Sequence, residues 1–237
     1  NRLVKVWYPG ITVQPFGMND TTGLTEYSHF DYQYPSGSLP QLYFNSQALI
    51  RRSKFRRLKL KDAEREKILG KFLLDHKLIV GVSWRSMLLM KSRVDDYFDV
   101  SAFEDLIKEF PSDIGFVSLQ YDISREEKER LSQYENVFIP NKDFLNDVYE
   151  NAVHCGACDL LVSVGTVVAT CAGIFGVPVV SWSRFDDPVN LGAEQTPWFP
   201  NRLDFRTMPN WDKATLLERL KRVLVRYAEK AIGKTVD

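Results

Sequence analysis

From residue 77 onward, short apolar runs alternate with amphipathic stretches, and this alternation constrains the fold more than any other feature of the chain. Leu78-Ile79-Val80-Gly81-Val82-Ser83 is apolar and short, as a buried strand is. Residues 100–110 place Phe103, Leu106, Ile107 and Phe110 at helical spacing and stop before Pro111. Gly115 to Leu119 reads as a second strand. Ser124 to Tyr134 reads as a polar helix that opens with a capping box, Ser124 with Glu127 three residues on. A third strand over 136–139, a helix over 146–155 and a fourth strand at Leu160–Val164 follow. A helix over 166–175 ends at Gly176, a fifth strand covers 177–182, and residues 213–231 form a long amphipathic helix carrying Leu216, Leu217, Leu220, Val223 and Leu224. Strands that are apolar along their whole length are buried on both faces. With helices between them they are parallel, so the class is α/β with a Rossmann-like parallel sheet.

The upstream part has a different texture. Residues 1–48 are rich in turn formers and aromatics, with brief strands expected at Ile11-Thr12-Val13 and Phe30-Asp31-Tyr32 and no autonomous core. Arg51 to Lys67 is basic and helical in composition. It reads either as a nucleic-acid patch or as a solvated helix and linker, and with Phe55 as the one interleaved aromatic the second reading is favoured. The expected division is therefore 1–75, an incomplete N-terminal portion with a linker, and 76–237, the sheet domain. The 237 residues balance 31 Lys and Arg against 31 Asp and Glu, which excludes bulk attraction to nucleic acid or an anionic membrane. Apolar runs such as Leu160–Val164 fall far short of the ~18–20 residues of a membrane span. Three cysteines are too few for a disulfide framework and point to a reducing, cytoplasmic compartment. The sequence opens at Asn1 in mid-pattern, as a piece of a longer protein would.

Ligands of open α/β sheets lie beyond the carboxyl ends of the strands. That directs attention to Ser83-Trp84-Arg85-Ser86, Gln120-Tyr121-Asp122 and Ser163-Val164-Gly165-Thr166. The last is the most informative, because a buried strand runs through it directly into the small-residue helix that begins at Val167. Free amides and the dipole at such a helix start suit a phosphate, Gly165 permits close approach, and Ser163 and Thr166 offer hydroxyls. The plainer reading is an ordinary strand–helix turn capped by Thr166. No GxGxxG or Walker A lysine is present. Arg85 is either the cation for a diphosphate or a surface ion pair with Asp95 or Asp96. Cys155-Gly-Ala-Cys158 has CxxC spacing but no second ligand pair, so small buried thiols are favoured over zinc or redox chemistry. Asp122, Asp143, Asp147, Asp186, Asp187 and Glu194 sit in expected loops as ribose or sugar partners or as solvated charges. Trp198-Phe199-Pro200 either walls a pocket or plugs the rim of the sheet.

Taken in order, Val80–Ser86, Phe116–Tyr121, Cys158–Ala169, Ala172–Val179 and Thr196–Pro200 resemble the C-terminal domain of bacterial GT-B glycosyltransferases of the heptosyltransferase-like kind. These are often fused behind tetratricopeptide repeats. Tyr8–Thr12, Phe30–Gln33 and Ser38–Pro40 look like the tail of the same family's N-terminal domain. The resemblance implies a nucleotide-diphosphate-sugar donor, with Ser83 and Arg85 near its phosphates and Gln120 and Tyr121 near its nucleotide. It also implies that the turn Ser163, Gly165, Thr166 and Val167 cradles the diphosphate. Members commonly carry an Asp before the Thr of this turn and a His four residues after it, where this chain has Gly165 and Thr170. The expected activity is sugar transfer to a glycan or protein acceptor, without metal or cofactor. A catalytically silent binding module and a sugar-nucleotide epimerase are the alternatives.

Overall fold

A computed structural model describes residues 9–12, 31–32, 38–87, 91–110, 112–183, 190–207 and 212–233. Two compact units emerge, 1–53 and 54–237. In the first, two short helices are described, α1 (Pro40–Tyr43) and α2 (Gln47–Arg52), the latter capped by Ser46, whose hydroxyl accepts from the Leu49 amide. Ile11, Thr12, Asp31 and Tyr32 of the two brief strands expected there are described and are not in strands, while Val13 and Phe30 lie outside the described residues, as do Tyr8 and Gln33 of the upstream motifs.

The second unit begins upstream of the boundary expected at residue 76. The basic stretch does not form one helix. Residues 54–61 form neither helix nor strand, with Lys54, Arg56, Lys59 and Lys61 exposed and Leu58 buried. Tertiary bonds override the local helical composition: the Leu58 amide donates to Ile174 O at 3.0 Å and Arg57 Nη2 to Trp198 O at 2.6 Å. Helices α3 (Asp62–Leu69) and α4 (Lys71–Asp75) follow. Arg65 then ties α3 to the sheet, donating to Ala157 O and to Asp159, whose other oxygen accepts the Ile79 amide at 2.8 Å.

Six strands form one parallel sheet: β1 (Leu78–Ser83), β2 (Ile114–Ser118), β3 (Val137–Phe138), β4 (Leu160–Val164), β5 (Val179–Ser183) and β6 (Arg202–Arg206). Their spatial order is β3-β2-β1-β4-β5-β6, with every pair parallel. This is the Rossmann order, reversing between β1 and β4. The intervening helices are α5 (Lys91–Val94), α6 (Val100–Glu109), α7 (Arg125–Leu131), α8 (Val148–Ala157), α9 (Val167–Phe175) and α10 (Lys213–Ile232).

Strand parity assigns the two faces. Leu78, Val80, Val82 and Trp84 of β1 and the loop after it join a core with Phe103, Leu106 and Ile107 of α6 and Leu216, Leu220 and Leu224 of α10. The opposite face meets α8 and α9. There a Cβ on Gly81 would lie 2.6 Å from Leu119 Cδ1 and 3.0 Å from Cys158 Sγ, so any larger residue would force these neighbours to shift. Phe199 fills the equivalent close approach on α9, where a Cβ on Gly173 would meet its ring at 2.7 Å. The aromatic loop therefore packs on a helix, with Trp198 against Phe55 at a centroid distance of 5.6 Å.

Candidate functional site

The order reversal leaves the loops after β1 and β4 diverging from each other, which opens a crevice at the carboxyl edge. Ser83, the last residue of β1, lies in register beside Ser163, the penultimate residue of β4. Both are fully buried: Ser83 Oγ donates to Gln120 Oε1 at 3.2 Å and Ser163 Oγ to the Val164 carbonyl at 2.8 Å. Their hydroxyls brace the strand ends and do not face the crevice.

Gln120 and Arg85 are likewise committed within the protein. The Gln120 carbonyl accepts from Ser83 Oγ, Trp84 N and Arg85 N, and its amide donates to Arg85 O and to Asp122. Arg85 donates from Nε to Asp122 Oδ2 at 3.3 Å and from Nη2 to Asp122 O and Glu127 Oε2 at 2.9 Å each, and from Nη1 to Glu127 Oε1. Its carboxylates are thus Glu127 and Asp122, not Asp95 or Asp96. Burial alone would lower the Arg85 pKa, but the hydrogen bonds and charges of Glu127 and Asp122 outweigh it and raise it. For Glu127 burial pushes upward, yet Arg85, the Ser124 amide and Trp84 together hold the carboxyl below its ordinary value. Glu127 is the N3 residue of the α7 capping box, and it also anchors Arg85 and the Trp84 indole at 3.2 Å. Tyr121 completes the knot, its hydroxyl donating to Ser86 Oγ at 3.0 Å and accepting from the Met87 amide at 3.1 Å.

The β4–α9 turn is different, because several of its polar groups have no partner within the protein. The first intrahelical bond of α9 runs from Thr170 N to Thr166 O, which leaves the amides of Val167, Val168 and Ala169 without an intrahelical acceptor. Val167 is 54% exposed at the tip. Thr166 is the N-cap residue, but its hydroxyl makes no cap bond and has no partner. Gly165 is held by its amide to Trp182 O at 2.9 Å. Arg93 Nη2 donates to the Gly165 carbonyl at 3.2 Å, and among the described residues no carboxylate pairs with Arg93. Arg93 lies on α5, and the segment that follows this helix is pinned by the Phe98 amide to Trp84 O and the Trp182 indole to Asp96 O. Sequence reasoning missed Arg93 because nothing local marks it.

A cavity of about 330 Å³ opens at the carboxyl ends of β2 and β3. Ile123, Ile139, Pro140 and Phe144 give it apolar walls, Ser118 and Gln120 line it from the sheet, and Lys128 and Lys142 stand among its lining residues. Of the carboxylates singled out in the sequence, Asp143 accepts from the Asn146 amide and side chain, Asp147 caps α8, and Glu194 is exposed. Asp186 and Asp187 lie outside the described residues.

The CxxC thiols are structural. Cys155 Sγ lies 3.6 Å from Asn151 Oδ1, and Cys158 Sγ donates to His154 O at 3.3 Å. Burial raises the pKa of both, and pushes the Cys171 thiol up to about 11. No cluster of three or more His, Cys, Asp or Glu residues with metal-binding geometry occurs among the described residues.

No family model matches the chain. Over 130 residues it is 28% identical to Protein FlbA of Caulobacter vibrioides, a match covering 52% of this chain and 21% of that protein. The chain thus spans about a fifth of the curated relative it matches. Among solved structures, E. coli ADP-heptose lps heptosyltransferase II superposes with a TM-score of 0.53 at 12% identity, covering 73% of this chain and 55% of that one. A glycosyl transferase family 9 structure from Veillonella parvula DSM 2008 gives 0.49 at 12% identity, covering 76% and 54%. The Rossmann-like fold is shared with the heptosyltransferase, and the chain spans about half of that structure's length. No described helix is long and apolar enough to cross a membrane.

Proposed function

We propose that this domain holds the nucleotide-diphosphate-sugar donor of a metal-independent glycosyltransferase, which passes the sugar to a glycan or protein acceptor. The observation that carries the reading is the β4–α9 turn at the order reversal. There, one patch of chain holds three amides without intrahelical acceptors, the buried and partnerless Thr166 hydroxyl and the Gly165 carbonyl to which the Arg93 guanidinium donates. A diphosphate suits that patch, because helix-start amides and an arginine fork both recognise phosphate oxygens.

Strand spacing supports the rest of the donor's placement. From the gap between β2 and β3 to β4 is two and a half strand steps, about 12 Å at ~4.8 Å each, which is within the reach of an extended nucleoside diphosphate. The nucleoside then occupies the β2–β3 cavity, with its base between the apolar walls. The heptosyltransferase that shares the fold is named for an ADP-heptose donor, which favours the same substrate class.

In the transfer, the bond from the anomeric carbon to the diphosphate oxygen breaks as the acceptor attacks. Charge grows on the leaving diphosphate, where fixed amides and Arg93 oppose it and lower the barrier. Placement in the cytoplasm, tetratricopeptide repeats upstream and the acceptor side of the reaction are part of this proposal for the whole protein.

A thermal-shift screen of the full-length protein with ADP, GDP, UDP, CMP and their sugar conjugates tests the reading. A ligand at 100 times its dissociation constant adds ~2.7 kcal/mol, a shift of about 5–10 °C for a chain of this size. Stabilisation by one nucleotide, followed by acceptor-dependent sugar transfer, is the expected result. Turnover without acceptor would indicate an epimerase, and a protein unmoved by every nucleotide would refute the donor site.

A further inference from the structure

Ser118, the last residue of β2, is 1% exposed, and its hydroxyl has no hydrogen-bond partner. A buried hydroxyl left unbonded destabilises the folded state, so one that persists in a cavity wall calls for an explanation. The cavity it lines is the one at the ends of β2 and β3. Gln120, the other buried polar residue of that lining, has its carbonyl and amide fully engaged with the β1 loop and Asp122. Near the cavity the Tyr121 hydroxyl is bonded to Ser86 and Met87, Asp143 to Asn146, and Lys142 lies 3.4 Å from Glu150. Ser118 is thus the deep polar group that the protein itself leaves unused, set among Ile123, Ile139 and Phe144.

We propose that Ser118 is a specificity-determining residue of the donor site. Its hydroxyl bonds the buried edge of the nucleobase seated in the β2–β3 cavity, so base identity is read at that point. The inference rests on the donor reading above. Apolar walls accept any flat heterocycle equally, whereas an enclosed hydroxyl rewards only a base that places a donor or acceptor opposite it.

The test is calorimetric titration of the full-length wild type and Ser118→Ala with ADP, GDP, UDP and CDP, and with inorganic pyrophosphate as a probe of the α9 turn alone. In the wild type one base binds best. In Ser118→Ala its affinity falls about 3- to 10-fold, the worth of one neutral hydrogen bond, while the other bases and pyrophosphate keep theirs. The unliganded variant melts at the same temperature as wild type or higher, since it loses a hydroxyl that had no partner. Equal losses for all four nucleotides, no loss for any, or a lower melting temperature without ligand would each overturn the assignment. A wild type that binds no nucleotide would overturn the donor reading itself, and that result is visible before any variant is made.

Discussion

Truncating Arg85 to alanine separates two roles that an arginine beyond the end of β1 can play. Its side chain and that of Glu127 are 21% and 13% exposed, and Arg85 donates four hydrogen bonds to Glu127 and Asp122. Removing one partner of a fully buried pair costs ~3–5 kcal/mol, and the exposure that remains here brings the expectation down to about 2–3 kcal/mol. For a chain of this length that lowers the melting temperature by roughly 4–12 °C. Glu127 supplies a second signature. Its carboxyl is held below the ordinary 4.5, so the pair's contribution is complete above that value and is lost as pH falls through the lower, folded value. The gap between wild type and Arg85→Ala is therefore widest near neutrality and closes in acid. Differential scanning calorimetry across pH, with Glu127→Gln and the double variant completing a cycle, measures the coupling, which should exceed about 1 kcal/mol. Nucleotide affinity should change little. A variant that melts within 1 °C of wild type but loses most of its nucleotide affinity would refute the reasoning and return Arg85 to the diphosphate.

Arg93→Ala should do the reverse: nucleotide and pyrophosphate affinity fall about 10- to 100-fold, for a charged hydrogen bond worth ~1.5–3 kcal/mol, with the melting temperature nearly unchanged. Equal affinities by calorimetry would remove Arg93 from the site. Gly173→Ala drives a methyl to 2.7 Å from the Phe199 ring, and overpacking of that kind costs ~1–3 kcal/mol in a denaturant melt. A fully stable variant would mean that the aromatic loop repacks freely. Cys155, Cys158 and Cys171 are free and buried, with thiol pKa values raised by burial, so a thiol reagent at pH 8 should label them only after denaturant is added. Rapid labelling of the folded protein would contradict their packing.

The sheet was legible because five of its strands are apolar, and their burial dominates any local preference. Strand β6 was not. Arg202, Asp204 and Arg206 alternate along it, so it lacks the apolar run that marks the other strands, and the structure shows Arg202 donating to Asp204 at 2.6 Å and Arg206 to Ala193 O at 2.7 Å. The capping box at Ser124 was plain in the sequence because it is local. That the same Glu127 also holds Arg85, 42 residues upstream, was not, since no short-range pattern encodes it. The turn Ser163–Val167 showed itself by its abrupt passage from strand to small-residue helix, yet sequence could not tell which of its hydroxyls turn inward. Both hydroxyls are buried, that of Ser163 bonded to the Val164 carbonyl and that of Thr166 without a partner. The course of residues 54–61 was hidden for the opposite reason, because their basic composition favours a helix and only the bonds to Ile174 and Trp198 hold them out of one.

The strand order also sets a schedule for synthesis. β1 can pair with β2 soon after both leave the ribosome, but its other neighbour, β4, begins only at Leu160. At ~5–20 residues per second the chain between Ser83 and Leu160 takes on the order of 4 to 15 s to make, and throughout that time one edge of an apolar central strand stands open. Open apolar edges recruit other strands. A chain that stalls before β4 is therefore a template for aggregation, and nascent-chain chaperones would have most to do on this protein during that interval.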